Sequence, residues 1–227
     1  MMPSSKLVLT AAGEFLISDI GLAQGSIAKA IEYYSALEME MIVALAPGGK
    51  EKLSDYGFEF HSRVKLVEVP SGTKGALATA VCAISMAGNE SDELHIAAGD
   101  TYFTGDSALL GIEELRTSSC EAGTLVFSSQ DVRHSFVALD SDGGVQLVAE
   151  KSQIGPNATS GNFYFSNSKD FLQAANWCFV NNSSYRGNYY VSGALNFFVY
   201  QGKQVGVSFI EPSEVQKHWA SQESKER

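Results

Sequence analysis

The apolar positions of this chain fall into short runs separated by polar turns, and their spacing changes from run to run. Residues 6–10 form a continuous apolar stretch of strand length, as do residues 41–46, which Pro47-Gly48-Gly49 stops. Between them, residues 26–37 carry apolar side chains at helical spacing, so the front of the chain predicts strand, helix, strand. Residues 64–69 predict a third strand ending at Pro70, residues 75–87 an Ala-rich helix, and residues 94–98 another buried strand. Alternation of this kind implies a parallel sheet with helices on both faces.

The second half changes character. Residues 124–128, 135–139, 145–150 and 162–165 predict strands, two of them joined by a hairpin turn at Asp140-Ser-Asp-Gly-Gly144. Residues 169–179 and 194–200 predict helices and residues 205–210 a last strand, while the charged tail from Ser221 reads as frayed. The expected class is therefore α/β, with a mixed, mainly parallel sheet flanked by helices. No internal repeat, low-complexity linker or composition break divides the 227 residues, so they are expected to form one domain.

Composition narrows the function classes. The hydrophobic share is 44%, yet no apolar run approaches the roughly 18 residues that would span a bilayer. The first residues make a poor secretory signal, and Cys82, Cys120 and Cys178 stand far apart without a C-x-x-C pair. A cytoplasmic protein with reduced thiols is expected, without membrane attachment. A formal net charge of −10 argues against a surface that tracks a nucleic-acid backbone, which needs clustered Lys and Arg. An anionic small molecule would have to be held locally, by backbone N–H groups, placed cations or a metal.

Three segments carry candidate chemistry. Pro70-Ser-Gly-Thr-Lys-Gly-Ala76 is a small-residue loop that leaves a strand and opens a helix, where backbone N–H groups can approach an anion or a purine face; taken alone, it reads more readily as a plain strand-to-helix turn. Leu94-His-Ile-Ala-Ala-Gly-Asp100 places a carboxylate at the carboxyl edge of a parallel sheet, suited to a metal ion or to capping the helix near Ser107. Glu150-Lys151 ends a strand and, with Gly161-Asn-Phe-Tyr-Phe165, could accept sugar hydroxyls and neutralise a sugar phosphate, or form a solvated charge pair. Other lookalikes fail on spacing. Asp140-x-Asp142 lacks the later ligands of a calcium loop, Gly48-Gly-Lys50 is followed by Glu51, and His61, His95, His134 and His218 have no zinc-ligand spacing.

Taken in order, Ser71-Gly-Thr-Lys-Gly-Ala-Leu-Ala78, Ala98-Gly-Asp100, Arg133-His-Ser-Phe-Val137, Gly144-Val145, Glu150-Lys151, Gly161-Asn-Phe-Tyr-Phe165 and Asn188-Tyr-Tyr-Val191 resemble the sugar-phosphate nucleotidyltransferase family, especially members of capsular and surface-polysaccharide synthesis. The resemblance implies a fold of the nucleotide-diphospho-sugar transferase type. It also implies a nucleotide site at Ala12, Gly13, Ser71, Gly72, Thr73 and Gly75, and a sugar-phosphate site at Glu150, Lys151, Gly161 and Asn162. Asp100 would bind Mg²⁺, and Asp100 and Lys151 would be the catalytic side chains. The implied partners are a nucleotide and a sugar phosphate, or a nucleotide sugar, with no nucleic acid and no membrane; a homo-oligomer is compatible with this.

The front of the chain departs from the family. Members follow the first strand with a Gly-x-Gly-x-Arg loop and a Pro-Lys-Pro segment, whereas here Thr10-Ala-Ala-Gly13 runs directly into Glu14-Phe-Leu-Ile-Ser-Asp19. The second metal-binding Asp is also missing, Ala194 standing near its place. Two readings follow: a transferase that makes a nucleotide-activated sugar with a shortened triphosphate loop, or a non-catalytic relative that binds the sugar nucleotide or sugar phosphate.

Overall fold

The computed structural model describes residues 5–12, 26–55, 62–87 and 93–217. In chain order these form β1 (Ser5–Ala11), α1 (Ser26–Tyr34), β2 (Glu40–Leu45), α2 (Gly49–Asp55), β3 (Val64–Glu68), α3 (Ala76–Ala87) and β4 (Glu93–Ala98). There follow β5 (Thr101–Phe103), α4 (Ser107–Thr117), β6 (Ala122–Ser128), β7 (Phe136–Leu139), β8 (Val145–Ala149) and β9 (Asn157–Phe165). The chain then forms α5 (Ser168–Val180), α6 (Val191–Tyr200), β10 (Val205–Phe209), a short 3₁₀ turn (Pro212–Glu214) and β11 (Val215–Lys217).

The continuous apolar run of β1 is explained by burial on both faces. Leu7, Leu9 and Ala11 enter one core while Val8 enters the other. Helices α1 and α4 cover the first core with Ile27, Tyr34, Ala108 and Ile112, and helices α3, α5 and α6 cover the second with Leu77, Phe171 and Phe198. Leu9 is wholly buried, so its truncation to Ala would cost about 2–5 kcal/mol. Helix α5 begins at a side-chain cap, Asn167 Oδ1 accepting from the Asp170 N–H at 2.7 Å.

The main sheet runs β10-β6-β9-β4-β1-β2-β3. Strand β9 is antiparallel to both β4 and β6, while every other pairing on this path is parallel, so the sheet is mixed and mainly parallel as expected. From β1 the chain winds outward through β2 to β3, then returns to place β4 on the other side of β1. This reversal opens a crevice at the carboxyl ends of β1 and β4, the usual ligand position in open α/β sheets. Off the main path, β7 pairs with β8 and β9, and β5 pairs with β11 in a separate two-stranded sheet.

Several elements escape the apolar pattern, each for a physical reason. Helix α2 contributes only Leu53 to the core, so its sequence looks like a polar continuation of the Pro47 turn. Strand β9 begins at Asn157 rather than at 162, because its first half is polar although Thr159 and Ser160 are buried. Strands β5 and β11, three residues each, are too short to show a period. The turn at residues 140–144 forms as anticipated. Asp140 Oδ1 accepts from the N–H groups of Asp142 and Gly144 at 2.9 and 2.7 Å, so this oxygen serves the hairpin. The three cysteines are free thiols, and no helix among the described residues is long and apolar enough to cross a membrane.

Candidate functional site

A cleft of about 160 Å³ occupies the crevice at the sheet's carboxyl edge. Its floor comes from Thr10 at the end of β1, Ala98 at the end of β4, and Thr159 and Gly161 of β9; its walls carry Asp100, Arg133, His134, Glu150, Lys151, Tyr190, Ser192 and Lys217. Three cations thus face two carboxylates, in a protein whose formal net charge is −10. Placed cations of this kind can meet an anionic small molecule locally.

Asp100 follows β4 at the edge where the sequence placed it. Its Oδ1 accepts from Thr101 Oγ1 at 2.9 Å and pairs with Lys217 Nζ at 3.3 Å. Lys217 reaches this position because β11 pairs antiparallel with β5 and sets Lys217 opposite Thr101. Nearby, burial and the Lys217 charge push His134 down to about 4, so its imidazole is neutral at physiological pH. Arg133 is held in place by a forked pair with Asp131, whose carboxyl the guanidinium keeps down at about 2. Among the described residues, Asp100 Oδ1 is already taken by Lys217 and Thr101, and no group of three metal-ligating side chains exists. With Lys217 in place, the described residues do not fit the expected Mg²⁺ at Asp100.

At the other end, Glu150 Oε2 accepts from the hydroxyls of Ser135 and Ser192, the latter at 2.7 Å. Ser192 lies in the first turn of α6, where the helix dipole favours a carboxylate. Oε1 accepts no hydrogen bond among the described residues, leaving an acceptor for sugar hydroxyls. Lys151 adopts the left-handed conformation at φ 50°, uncommon for a side chain of its size and typical of sites under local constraint. Its Nζ lies over the rings of Tyr185 and Tyr190, at 5.9 and 5.7 Å. The Tyr185-to-Asn188 turn brings Tyr185 there, with Arg186 and Gly187 both at positive φ.

The small-residue loop borders two further hollows. Ala12, Pro70, Ser71, Gly72 and Thr73 line one of about 510 Å³, and Thr10, Ala12, Thr73, Gly75 and Ala76 line another of about 210 Å³. The latter shares Thr10 and Ala76 with the cleft, so the loop and the charged end adjoin. Gly72 (φ +91°) has open space where a Cβ would be. Gly75 (φ +89°) does not: a Cβ would stand 2.3 Å from the Tyr189 carbonyl oxygen. Here the backbones cross, Tyr189 N–H donating to Lys74 O at 2.9 Å and Leu77 N–H to Tyr189 O at 3.1 Å. Gly75 thereby fastens the loop to the segment that carries Tyr190.

Of the sequence-derived residues, Asp100, Glu150, Lys151 and Gly161 meet in the cleft, and Ala12, Ser71, Gly72, Thr73 and Gly75 surround the adjoining hollows. Gly13, Glu14 and Asp19 lie outside the described residues. Asn162 does not join them in the cleft. It points to the opposite face of β9 from Gly161, its Oδ1 accepting from the buried Tyr34 hydroxyl at 2.7 Å, whose pKa burial drives far up. Ala194 is a core residue of α6. Sequence reasoning missed Lys217 and Ser192 altogether, because only long-range packing brings them to the cleft, and it missed Tyr185, which meets Lys151 beside it.

The fold belongs to the class of mixed, mainly parallel α/β domains with a crevice at the carboxyl edge of the sheet. Nucleotidyltransferases and related enzymes have the same fold in solved structures. A nucleoside-diphosphate-sugar pyrophosphorylase from Vibrio cholerae RC9 superposes with a TM-score of 0.71 at 16% identity, over 96% of this chain and 97% of that one. The inositol-1-phosphate CTP transferase from T. maritima gives 0.70 at 14% identity, over 97% and 91% of the two chains. A putative glucose-1-phosphate thymidylyltransferase from Bacillus anthracis, in complex with a sucrose, gives 0.66 at 16% identity, over 92% and 87%. No protein-family model and no curated protein matches the sequence.

Proposed function

We propose that this protein binds a nucleotide-activated sugar, or its sugar phosphate, across the crevice and is a sugar-phosphate nucleotidyltransferase-like protein with weakened transfer activity. The observation that carries this reading is the adjoining of the Ser71–Thr73 hollows and the charged cleft through Thr10 and Ala76. Ser71, Gly72 and Thr73 would meet the base and ribose. Glu150 Oε1 would accept a sugar hydroxyl, and Lys151 would neutralise a phosphate as a localised charge. Surface-polysaccharide or capsule synthesis, where nucleotide-activated sugars are consumed, is the proposed setting.

In the corresponding transfer, an oxygen of a sugar 1-phosphate attacks the α-phosphorus of a nucleoside triphosphate and pyrophosphate leaves. Positioning and charge neutralisation carry most of such chemistry. Lys151, Arg133 and Lys217 can neutralise phosphate oxygens, but Glu14 and Asp19 follow β1 in sequence where relatives carry Gly-x-Gly-x-Arg. Loss of several charge-stabilising contacts, each worth on the order of a hundredfold in rate, leaves little turnover. The Asp100–Lys217 pair gives the non-catalytic reading specific support, because it occupies the carboxylate that would otherwise meet a metal ion.

Calorimetric titration with nucleoside triphosphates, nucleotide sugars and sugar phosphates tests the reading. Nucleotide sugars or sugar phosphates should bind more tightly than free triphosphates. Pyrophosphate release from triphosphate and sugar 1-phosphate should be slow or absent. Robust release that Asp100→Ala abolishes would restore the ordinary transferase, and no binding across the whole panel would refute the site itself.

A further inference from the structure

We infer that the ammonium of Lys217, and not a divalent ion, is the resident counter-charge of Asp100, so that the cleft takes up the phosphate of its ligand without metal. The inference rests on the proposed ligand class for its second half only; the identity of the counter-charge stands on geometry. Lys217 Nζ lies 3.3 Å from Asp100 Oδ1, and the two side chains are only 16% and 24% exposed. The pair is built into the fold. Strand β11 is registered against β5 with Lys217 opposite Thr101, the residue next to Asp100, and the Thr101 hydroxyl donates to the same Oδ1. Asp100 Oδ1 thus already receives a cation and a hydroxyl.

Charge counting points the same way. Arg133 is paired with Asp131 beside the cleft, so Lys151 and Lys217 balance Asp100 and Glu150 and the site is close to neutral. A divalent ion would add two positive charges and would meet, within a few ångströms of Lys217, about twice the repulsion of two unit charges. A phosphate would instead meet lysine ammonium groups as its point-charge partners. Ser135 and Ser192 both donate to Glu150 Oε2, so only its Oε1 stays open. His134, which also faces Lys217 and Asp100, is neutral at physiological pH and leaves this count unchanged.

The test uses Mn²⁺ alone, followed by its paramagnetic resonance signal, and then glucose 1-phosphate by calorimetry in EDTA or in Mg²⁺. Wild-type protein should leave the Mn²⁺ signal unperturbed, Lys217→Ala should acquire one Mn²⁺ site, and Lys217→Ala combined with Asp100→Asn should lose it. Lys217→Gln, which keeps most of the side-chain length beside β5, should behave like Lys217→Ala and guards against a folding defect. Mn²⁺ binding to wild-type protein that Asp100→Asn abolishes would overturn the inference, as would the absence of a new site in both Lys217 variants. In the second arm, EDTA and Mg²⁺ should give affinities within about twofold, and Lys217→Gln should weaken binding in EDTA by roughly tenfold. Loss of wild-type binding in EDTA would overturn metal independence. Failure of glucose 1-phosphate and the wider ligand panel to bind at all would strike the proposed function, while the Mn²⁺ arm would still decide the role of Lys217.

Discussion

Replacing Gly75 by Ala puts a methyl group where the backbones of two ligand-facing segments cross. The added Cβ would lie 2.3 Å from Tyr189 O and 2.8 Å from Tyr189 N, and the residue keeps φ +89°, so both sterics and conformation oppose it. An L-residue in a left-handed conformation costs about 1–2 kcal/mol. Pushing Tyr189 away breaks its two backbone hydrogen bonds to Lys74 and Leu77, at about 1 kcal/mol each. Gly75→Ala should therefore lose about 3–4 kcal/mol of stability, or roughly 10 °C in Tm for a chain of this size. Gly72→Ala supplies the control, because its φ is +91° but nothing stands within 4 Å of the added Cβ. It should lose only the conformational part, about 1–2 kcal/mol. Both would be measured by thermal and urea unfolding, followed by titration with a sugar phosphate. Tyr189 adjoins Tyr190 in the cleft wall, so Gly75→Ala should also weaken sugar-phosphate binding, whereas Gly72→Ala should spare it. Equal stability losses in the two variants would refute the claim that contact with Tyr189, rather than turn conformation alone, requires Gly75.

Three further outcomes are expected. Lys151→Ala should weaken sugar-phosphate binding by about 1.5–3 kcal/mol while leaving the unfolding midpoint nearly unchanged; unchanged affinity would reduce Lys151 to a surface charge resting on Tyr185 and Tyr190. Burial and the nearby Arg116 push His95 down to about 3, below its unfolded value near 6.5, so its contribution to stability is complete above that value and is lost as pH falls towards 3. Urea unfolding should show wild-type protein losing roughly 2 kcal/mol more than His95→Phe between pH 7 and pH 5, and parallel losses would refute this assignment. A thiol reagent at mildly alkaline pH should label Cys82 first, because Cys178 is buried and pushed up to about 12 and Cys120 is raised by burial; a second fast thiol would contradict the burial of Cys120 or Cys178.

The strands most legible in the sequence are those whose side chains enter both cores, such as β1 with Leu7 and Val8, because burial on two faces leaves a continuous apolar run. Asp100 and Lys151 were legible as cleft-lining candidates because each follows the end of a strand, at the edge where open α/β sheets form a crevice. Asn162 stands outside the cleft, and the sequence carried a sign of it. Neighbours in a strand face opposite ways, so Gly161 and Asn162 cannot both enter the cleft. Lys217 had no such signal. Val215-Gln-Lys217 has no apolar period, and a lysine in a polar tail reads as a solvated charge until its strand is known to pair with β5. The glycine loop was recognised correctly as special, yet Gly75 is needed for Tyr189 and only Gly72 faces open space.

The β5–β11 pairing also separates two events in the life of the chain. A ribosome delivers β1 to β4 and then β9 long before it delivers Lys217, and segments made earlier can fold while later ones are still being made. The parallel half of the sheet can therefore assemble around Asp100 while that carboxylate still faces water alone. Its counter-charge arrives with the last described strand, so a nascent or prematurely stopped chain can possess the architecture and lack the balanced cleft. The parallel sheet and the Asp100–Lys217 pair are acquired at different moments of synthesis, and the interval between them is set by the length of chain separating the two residues.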